Sequence, residues 1–200
     1  MIIGNGASLR DVPLSFLVKY PTFGQNKIFL LEGFTPKYYV AVNPLVIEQS
    51  IDQINAMQCS KWIRESHSKY IIDSHPIQKT KSGKFHTTPP AAHEGYTVTF
   101  VSMQIAYWLG YRQILLVGID HRYTYNGKPN KQNQWRGDDV NHFHADYFRG
   151  QQWNNPDLAR SEIFYKMANL AYRAAGGRIV NLTPNTALDV FEKGELSEWA

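Results

Sequence analysis

Features that mark secreted and membrane-spanning proteins are missing from this chain. Cys59 is the only cysteine in 200 residues, so no internal disulfide can form, which is consistent with a reducing compartment. No apolar run approaches the roughly 18 residues of a transmembrane helix. Met1 to Ile3 lead directly into glycines without a basic segment, so we expect no signal peptide and a cytoplasmic location.

Charged residues are also few. They make up 19% of the chain, against 43% hydrophobic residues, which is typical of a soluble globular protein. The net charge of +4 is not gathered into a basic block, and Lys79, Lys81 and Lys84 come nearest to one. This modest excess suits an anionic small ligand and disfavours a nucleic-acid partner. Aromatic residues are abundant at 14%, and those with a polar group favour binding surfaces.

Residues 112–120 are the stretch on which the rest of the prediction depends. Ile114 to Val117 is an unbroken apolar run, typical of a strand buried on both faces in a parallel sheet. Gly118 allows a turn, and Asp120 follows where the strand ends. Because ligands of open parallel sheets bind at the carboxyl ends of the strands, Asp120 is a candidate site residue. The alternative is that Asp120 only caps the next turn.

Alternating strand and helix patterns predict the fold class. We expect strands at 1–3, 23–31, 38–42, 69–72, 114–117 and 178–181. Helical patterns mark 46–57, 97–110 and 157–175, and a short final helix reaches residue 191. Together they predict a single Rossmann-like α/β domain over 1–200, with a mainly parallel sheet flanked by helices. Two long loops, 75–94 and 121–156, are expected to lie over the carboxyl edge of the strands and roof a pocket.

A glycine-rich turn follows the first strand. In Gly4-Asn5-Gly6-Ala7-Ser8 the glycines permit a tight bend, and backbone N–H groups at a following helix start can bind phosphate. Leu9 stands where the full dinucleotide fingerprint needs glycine, and no Walker lysine follows. The alternative is a plain turn.

Three further polar residues stand at element ends. Asn26 and Asn43 lie at or near strand ends, where an amide can read a base or a sugar, although Asn43 also suits a turn before Pro44. Thr97, with Thr99, opens a helix and suits either a ligand contact or a cap.

The segment 141–147 is the densest in chemically active side chains. His142, His144 and Asp146 are candidates for a general base, since histidine titrates near neutral pH. Their spacing also resembles the His-x-His-x-Asp-His metal signature of metallo-β-lactamase-like hydrolases, but Tyr147 replaces the terminal histidine. A polar loop without function is the third interpretation, and the aromatic neighbours argue against it.

Several of these stretches resemble one family. The opening Met-Ile-Ile-Gly-Asn-Gly-Ala-Ser-Leu, Gln25-Asn26 and the block from Leu109-Gly110-Tyr111 to Gly118-Ile119-Asp120 are similar to bacterial sialyltransferases of the Campylobacter lipooligosaccharide type. They are equally similar to proteins with a 6-hydroxymethylpterin pyrophosphokinase-like domain, a group that includes motility-associated flagellin glycosyltransferases. The resemblance covers most of the chain in order, except for about 60–94.

The resemblance implies roles for individual residues. The turn from Gly4 through Asn5 and Gly6 to Ser8 would hold the phosphate and ribose of a CMP-sugar. Asn26 would contact the nucleotide or the transferred sugar, Asn43 would lie near the nucleotide, and Asp120 near the donor sugar. The family's base is the second histidine of a His-Tyr-x-x-His segment. Aligned on His142, that position is Asp146, so the base is open among His142, His144 and Asp146.

These residues lead to three expectations of function. The first is a nucleotide-sugar-dependent glycosyltransferase acting on a glycan acceptor, with no cofactor required. The second is a pyrophosphokinase on a small alcohol, in which ATP and Mg²⁺ replace the CMP-sugar and Asp120 and Asp146 serve the metal. The third is a non-catalytic nucleotide- or glycan-binding module. A homo-oligomer is left open, as are the donor sugar and the acceptor.

Overall fold

Nine strands form one parallel sheet in the computed structural model, which describes residues 1–199. In chain order they are β1 (Ile2–Ile3), β2 (Phe23–Gln25), β3 (Tyr38–Ala41), β4 (Ser60–Arg64), β5 (Ser74–Thr80), β6 (Ala91–His93), β7 (Gln113–Val117), β10 (Arg178–Asn181) and β11 (Glu192–Lys193). A separate antiparallel pair consists of β8 (Gln132–Gln134) and β9 (Gln152–Asn154). The sheet order is β11-β10-β7-β1-β2-β3-β4-β5-β6. The predicted α/β class with a mainly parallel sheet is therefore confirmed.

Six α-helices connect the strands within residues 1–199. They are α1 (Leu14–Leu17), α2 (Pro44–Glu48), α3 (Ile51–Ala56), α4 (Glu65–Ser68), α5 (Val98–Trp108) and α6 (Leu158–Ala174). Short 3-10 helices occupy Ala7–Asp11, Ile28–Leu30 and Leu196–Trp199. Within the described residues, none of these helices combines the length and the apolar character needed to cross a bilayer.

Side-chain alternation along the strands divides the core between the two faces of the sheet. Ile3 and Leu115 pack on one face, with the residues of α1, α2 and α3. Ile2 and Leu116 pack on the other face, with α5 and α6. Helix α5 packs against the sheet and also against α6, and almost its whole circumference is buried.

The order of the strands reverses at β1. From β1 the chain adds β2 to β6 on one side, and α5 then returns it to β7 on the other side of β1. Such a reversal opens a crevice outside the carboxyl ends of the two strands, where ligands of open α/β sheets bind. In this protein the crevice lies between the ends of β1 and β7, at Gly4 and Gly118.

Several predicted elements need correction. No strand forms at 69–72, where Tyr70 and Ile72 are exposed in the turn that follows α4. The fourth strand, β4, lies earlier in the chain. The loop expected at 75–94 contains β5 and β6. Its sequence resembles a loop because a strand near the sheet edge exposes most of its side chains, and Ile77 is the one residue that β5 buries fully. The helix expected at 46–57 breaks at Ser50 into α2 and α3. The short final helix is replaced by turns before β11.

Candidate functional site

A cleft of about 760 Å³ lies at the carboxyl edge of the sheet. Its floor comes from the residues that follow β1, β2, β3 and β7, and its walls come from the start of α5 and from residues of the segment 121–158. Of the residues predicted for the site, those that line this cleft are Gly4, Asn5, Asn26, Asn43, Thr97, Asp120 and His142. The fold thus gathers side chains from distant parts of the sequence at the crevice between β1 and β7.

The glycine turn is held against the end of β7. Gly4 N–H donates to the Val117 carbonyl (2.8 Å) and Gly6 N–H donates to the Gly118 carbonyl (2.9 Å). A Cβ on Gly4 would collide with the Gly118 carbonyl. A Cβ on Gly6 would meet the Asp120 carboxylate at 2.6 Å. Both glycines are therefore required by the close approach of the protein's own chain.

Asp120 occupies the position expected for a phosphate. Its Oδ2 accepts from the Ser8 N–H (3.1 Å), and its Oδ1 accepts from the Ser8 hydroxyl. The N–H groups of Gly4, Gly6 and Ser8 are consequently all taken by protein acceptors, and a second anion beside this carboxylate would be repelled. The Gly4–Ser8 turn therefore does not present these N–H groups to a phosphate. Asp120 lies in the cleft, and its carboxylate binds Ser8 in the turn after β1, not the turn that follows Asp120 as the capping alternative expected.

His142 and Asp139 form a buried pair at the cleft. His142 Nδ1 lies 2.8 Å from Oδ2 of Asp139, whose side chain is 1% exposed. The imidazole stacks on the Tyr147 ring at 4.0 Å with an interplanar angle of 3°. A carboxylate at Nδ1 fixes the tautomer and leaves Nε2 as the nitrogen available to a ligand. This is the arrangement of an oriented general base.

Backbone contacts bring this histidine to the glycine turn. Gly6 and His142 form a single antiparallel bridge, and Phe143 N–H donates to the Asn5 carbonyl (3.0 Å). Arg10 donates to the carbonyls of His142 (2.8 Å) and Phe143 (2.9 Å). The segment predicted to carry the base and the turn predicted to hold the nucleotide are thus in direct contact.

Buried Lys27 fixes the other side of the same segment. Its backbone N–H donates to the Tyr147 hydroxyl (3.2 Å), and its Nζ donates to the Tyr147 carbonyl (2.8 Å) and to Gln151. Burial lowers the pKa of the Lys27 amine to about 8, and nearby Asp139 opposes that shift. Tyr147, and with it the stacked imidazole, is therefore held in place from beneath.

His144 and Asp146 lie away from the cleft. The Asp146 carboxylate is 53% exposed and pairs with Arg149 at 2.6 Å, and its backbone N–H donates to His144 Nδ1 (3.2 Å). Neither residue is among those that line the cleft. Of the three candidate bases, the structure places only His142 where a ligand in the cleft could reach it.

Two amide oxygens in the cleft are buried without a partner. Asn5 Nδ2 donates to the Gln25 carbonyl (3.0 Å), but Asn5 Oδ1 and Asn26 Oδ1 have no hydrogen bond within residues 1–199. Asn26 also adopts a φ of 47°, a conformation that asparagine tolerates better than most residues. Because buried polar atoms are nearly always paired, these oxygens fit a ligand that brings N–H or O–H donors.

Asn43 and Thr97 both cap helices. The Asn43 side chain accepts from Leu45 N–H (3.1 Å) at the start of α2, and Thr97 accepts from Thr99 N–H (3.3 Å) at the start of α5. Both residues also line the cleft. The capping alternative for Thr97 is therefore correct, and Asn43 caps a helix where a turn before Pro44 was the alternative. A ligand contact of either residue stays a prediction.

Sequence reasoning missed a second histidine–carboxylate pair. His121 Nε2 lies 3.0 Å from Glu162 Oε1, and the histidine is buried at the cleft with a φ of 53°. Tyr123 also lines the cleft, where burial raises the pKa of its phenol and the nearby Tyr165 and Asp120 raise it further. The available sequence signal was that His121 and Tyr123 closely follow Asp120 at the end of the strand.

The charges of the cleft are unevenly distributed. Arg64, Lys79 and Lys81 line the end that lies beyond β4 and β5. Glu94 pairs with Arg64 (3.3 Å) and with Lys79 (2.6 Å). The end near β1 and β7 carries Asp120 instead. An anionic group of a ligand is better matched to the lysine end.

The residues considered for a metal are not brought together. Asp120 lines the cleft and Asp146 does not, so the acidic pair expected for a magnesium–nucleotide complex is not assembled. Residues 1–199 contain no group of three or more His, Cys, Asp or Glu side chains arranged to hold a metal ion. The His-x-His-x-Asp stretch is likewise not assembled as a ligand set, because His142 lines the cleft and His144 and Asp146 do not.

The fold and the cleft define a Rossmann-like α/β protein with a candidate ligand site at the strand ends. Comparisons of the chain with family models, curated proteins and solved structures found no match.

Proposed function

We propose that this protein is a nucleotide-sugar-dependent glycosyltransferase. The observation that carries the proposal is the His142–Asp139 pair, which presents an oriented imidazole in the cleft at the strand-order reversal. Transfer of a sugar to a hydroxyl requires a base to accept the hydroxyl proton, and His142 Nε2 is available for that step. The resemblance to sialyltransferases suggests CMP as the nucleotide.

The ligand would be held by three sets of groups. The unpaired oxygens of Asn5 and Asn26 suit donors such as a base amino group or ribose hydroxyls. The phosphate would lie toward Arg64, Lys79 and Lys81, the cations at the opposite end from Asp120. The acceptor hydroxyl would donate its proton to His142 as its oxygen attacks the anomeric carbon and CMP leaves.

The Mg-dependent pyrophosphokinase is a weaker candidate for this cleft. It would use Asp120 and Asp146 together, and only Asp120 lines the cleft. A binding module without turnover would have no need for the buried carboxylate that orients His142. Neither alternative has a specific observation in its favour.

The test is release of CMP from CMP-N-acetylneuraminate, measured with and without lactose. We expect the wild-type protein to release CMP, and His142→Ala and Asp139→Asn to lose at least about 10²-fold in rate. His144→Ala is the matched control, since that histidine is half-buried and lies away from the cleft, and its loss should leave the rate unchanged. No CMP release by the wild type, or equal rates in His142→Ala, would contradict the proposal. Turnover of ATP that depends on magnesium would favour the pyrophosphokinase.

A further inference from the structure

A second cavity, of about 310 Å³, opens beside the hairpin of β8 and β9. We call it the hairpin cavity. The residues that line it are Tyr125, Asn126, Asn133, Gln134, Trp135, Arg136, Trp153 and Asn155. Three are aromatic, four are amides and one is charged.

The aromatic rings of the hairpin cavity stand at right angles to one another. Trp135 and Trp153 meet at 5.6 Å and 87°, and Tyr125 meets Trp153 at 6.4 Å and 79°. Trp135 Nε1 donates to the Asp138 carbonyl (3.1 Å) and the Tyr125 hydroxyl donates to the Pro156 carbonyl (3.3 Å). Because the polar edges of Trp135 and Tyr125 are satisfied by the protein and Trp153 is buried, Trp135 and Tyr125 offer a ligand mainly their apolar surfaces.

The amides of the cavity divide into a structural and an exposed set. Asn155 is fully used, since its Nδ2 donates to the carbonyls of Asn126 and Lys128 (3.0 Å each) and its Oδ1 accepts from Asn133 (2.7 Å). Asn126, Gln134 and Arg136 have exposed side chains at the rim. Amide groups can both donate and accept, as required for pairing with hydroxyl groups.

This combination matches the chemistry of a saccharide. A sugar ring has a C–H face that packs against an aromatic surface and an edge of hydroxyls that pair with amides. The cavity has a single charged side chain, Arg136, which is fewer cations than a phosphorylated ligand needs. One cation is compatible with a neutral or carboxylated sugar.

The hairpin cavity adjoins the main cleft across two shared lining residues. Trp153 and Asn155 line both, and the Trp153 ring lies 6.3 Å from the His142 ring. We propose that the hairpin cavity binds a saccharide and that this saccharide is the acceptor whose hydroxyl reaches His142. The second half of this inference rests on the proposed function, and the first half does not.

Saturation-transfer NMR on the intact protein tests the binding site, with lactose, maltotriose and triacetylchitotriose as probes. We expect irradiation of the aromatic protons to saturate at least one of these sugars. The signal should be lost in Trp135→Ala, and Asn126→Ala should bind roughly tenfold more weakly. Tyr70→Ala, which removes an exposed ring elsewhere on the surface, is the matched control. Near-ultraviolet circular dichroism checks that each variant is folded. If Trp135→Ala does not fold, Asn126→Ala decides the outcome.

Each possible result bears on a different statement. Saturation of none of the three sugars, or equal saturation in the wild type and Asn126→Ala, would overturn the saccharide site. A sugar that binds in the wild type while CMP-N-acetylneuraminate is never cleaved would contradict the proposed function and leave the site intact. Transfer to a saccharide with an unchanged KM for that acceptor in Asn126→Ala would overturn the acceptor role of the cavity.

Discussion

Asp139 and His142 show how much a single contact can decide at the scale of the residue. Their separation of three positions does not distinguish a catalytic pair from two polar loop residues. In the folded chain both are buried, and the carboxylate accepts from Nδ1, so the histidine has one free nitrogen and one orientation. His144, two residues later, is chemically identical and lies outside the cleft.

Lys27 gives a prediction of pH dependence. Burial lowers the pKa of its amine from 10.5 to about 8 in the folded protein. Between these values the unfolded chain binds the proton and the folded chain does not, so the free energy of unfolding should rise with pH through that window. Below pH 8 both states are protonated and the contribution is constant. Urea unfolding of the wild type and of Lys27→Met should show a difference that grows in favour of the wild type from pH 8 to pH 10.

The control for this prediction is Lys19→Met. Lys19 is exposed, so its replacement should shift stability by an amount independent of pH. A difference between wild type and Lys27→Met that stays flat over the same range would contradict the effect of burial on Lys27.

At the scale of the element, the decisive contact is the meeting of β1 and β7. The chain after β1 bonds to the end of β7 through Gly4 and Gly6, and the segment carrying His142 bonds to both sides of the same turn. Three segments separated by more than 20 residues in every pair are thus held by backbone groups. These backbone contacts fix the geometry of the cleft.

Gly4→Ala should disrupt this meeting. The new Cβ would collide with the backbone carbonyl of Gly118, which cannot move without displacing β7. We expect a loss of about 1–3 kcal/mol in the free energy of unfolding, measured with urea. Gly194→Ala is the matched control, because its new Cβ would approach only the ends of side chains, at 3.0 Å or more, and should cost less. Equal losses in the two variants would refute the role assigned to this contact.

Replacements of Asn43 test its role as the N-cap of α2. Asn43→Ala removes the acceptor for Leu45 N–H and should lower the free energy of unfolding by about 1 kcal/mol. Asn43→Asp keeps an oxygen acceptor and should retain most of the stability. Chemical unfolding measures both. If Asn43→Asp is as unstable as Asn43→Ala, the capping role is wrong.

The predictability of this molecule varied with how strongly each segment is buried. Ile114 to Val117, the apolar α5 and the well-bounded α6 were predicted almost to the residue, because full burial imposes a continuous or periodic apolar pattern. Strand β4 was missed because the charged Lys61 occupies one of its two buried positions, with Ile63 in the other. Strand β5 was missed because it buries little beyond Ile77.

The site was predicted only in its parts. Gly4, Asn26 and Asp120 were identified from their places at strand ends, which is a property of topology. That the carboxylate of Asp120 would fill the turn at Ser8, and that Asp139 would select His142, depends on contacts between segments far apart in the chain. Local sequence patterns do not contain such contacts.

At the scale of the whole molecule, one cleft combines a polar floor, a basic end and an oriented imidazole. The two helical layers leave the carboxyl edge of the sheet open, and residues from 121 to 158 supply its roof. The hairpin cavity adjoins this cleft at Trp153 and Asn155. A nucleotide at the strand ends and a saccharide at the hairpin would therefore meet at His142.

Thermal melting with CMP, ATP and GTP, each with and without magnesium, tests nucleotide binding at this cleft directly. A ligand present at 100 times its dissociation constant adds roughly 2.7 kcal/mol of stability. We expect CMP alone to raise the melting temperature, with no requirement for magnesium, and to do so equally in His142→Ala, whose imidazole serves the acceptor. No rise with CMP, or a rise only with ATP or GTP in the presence of magnesium, would contradict a CMP-sugar transferase.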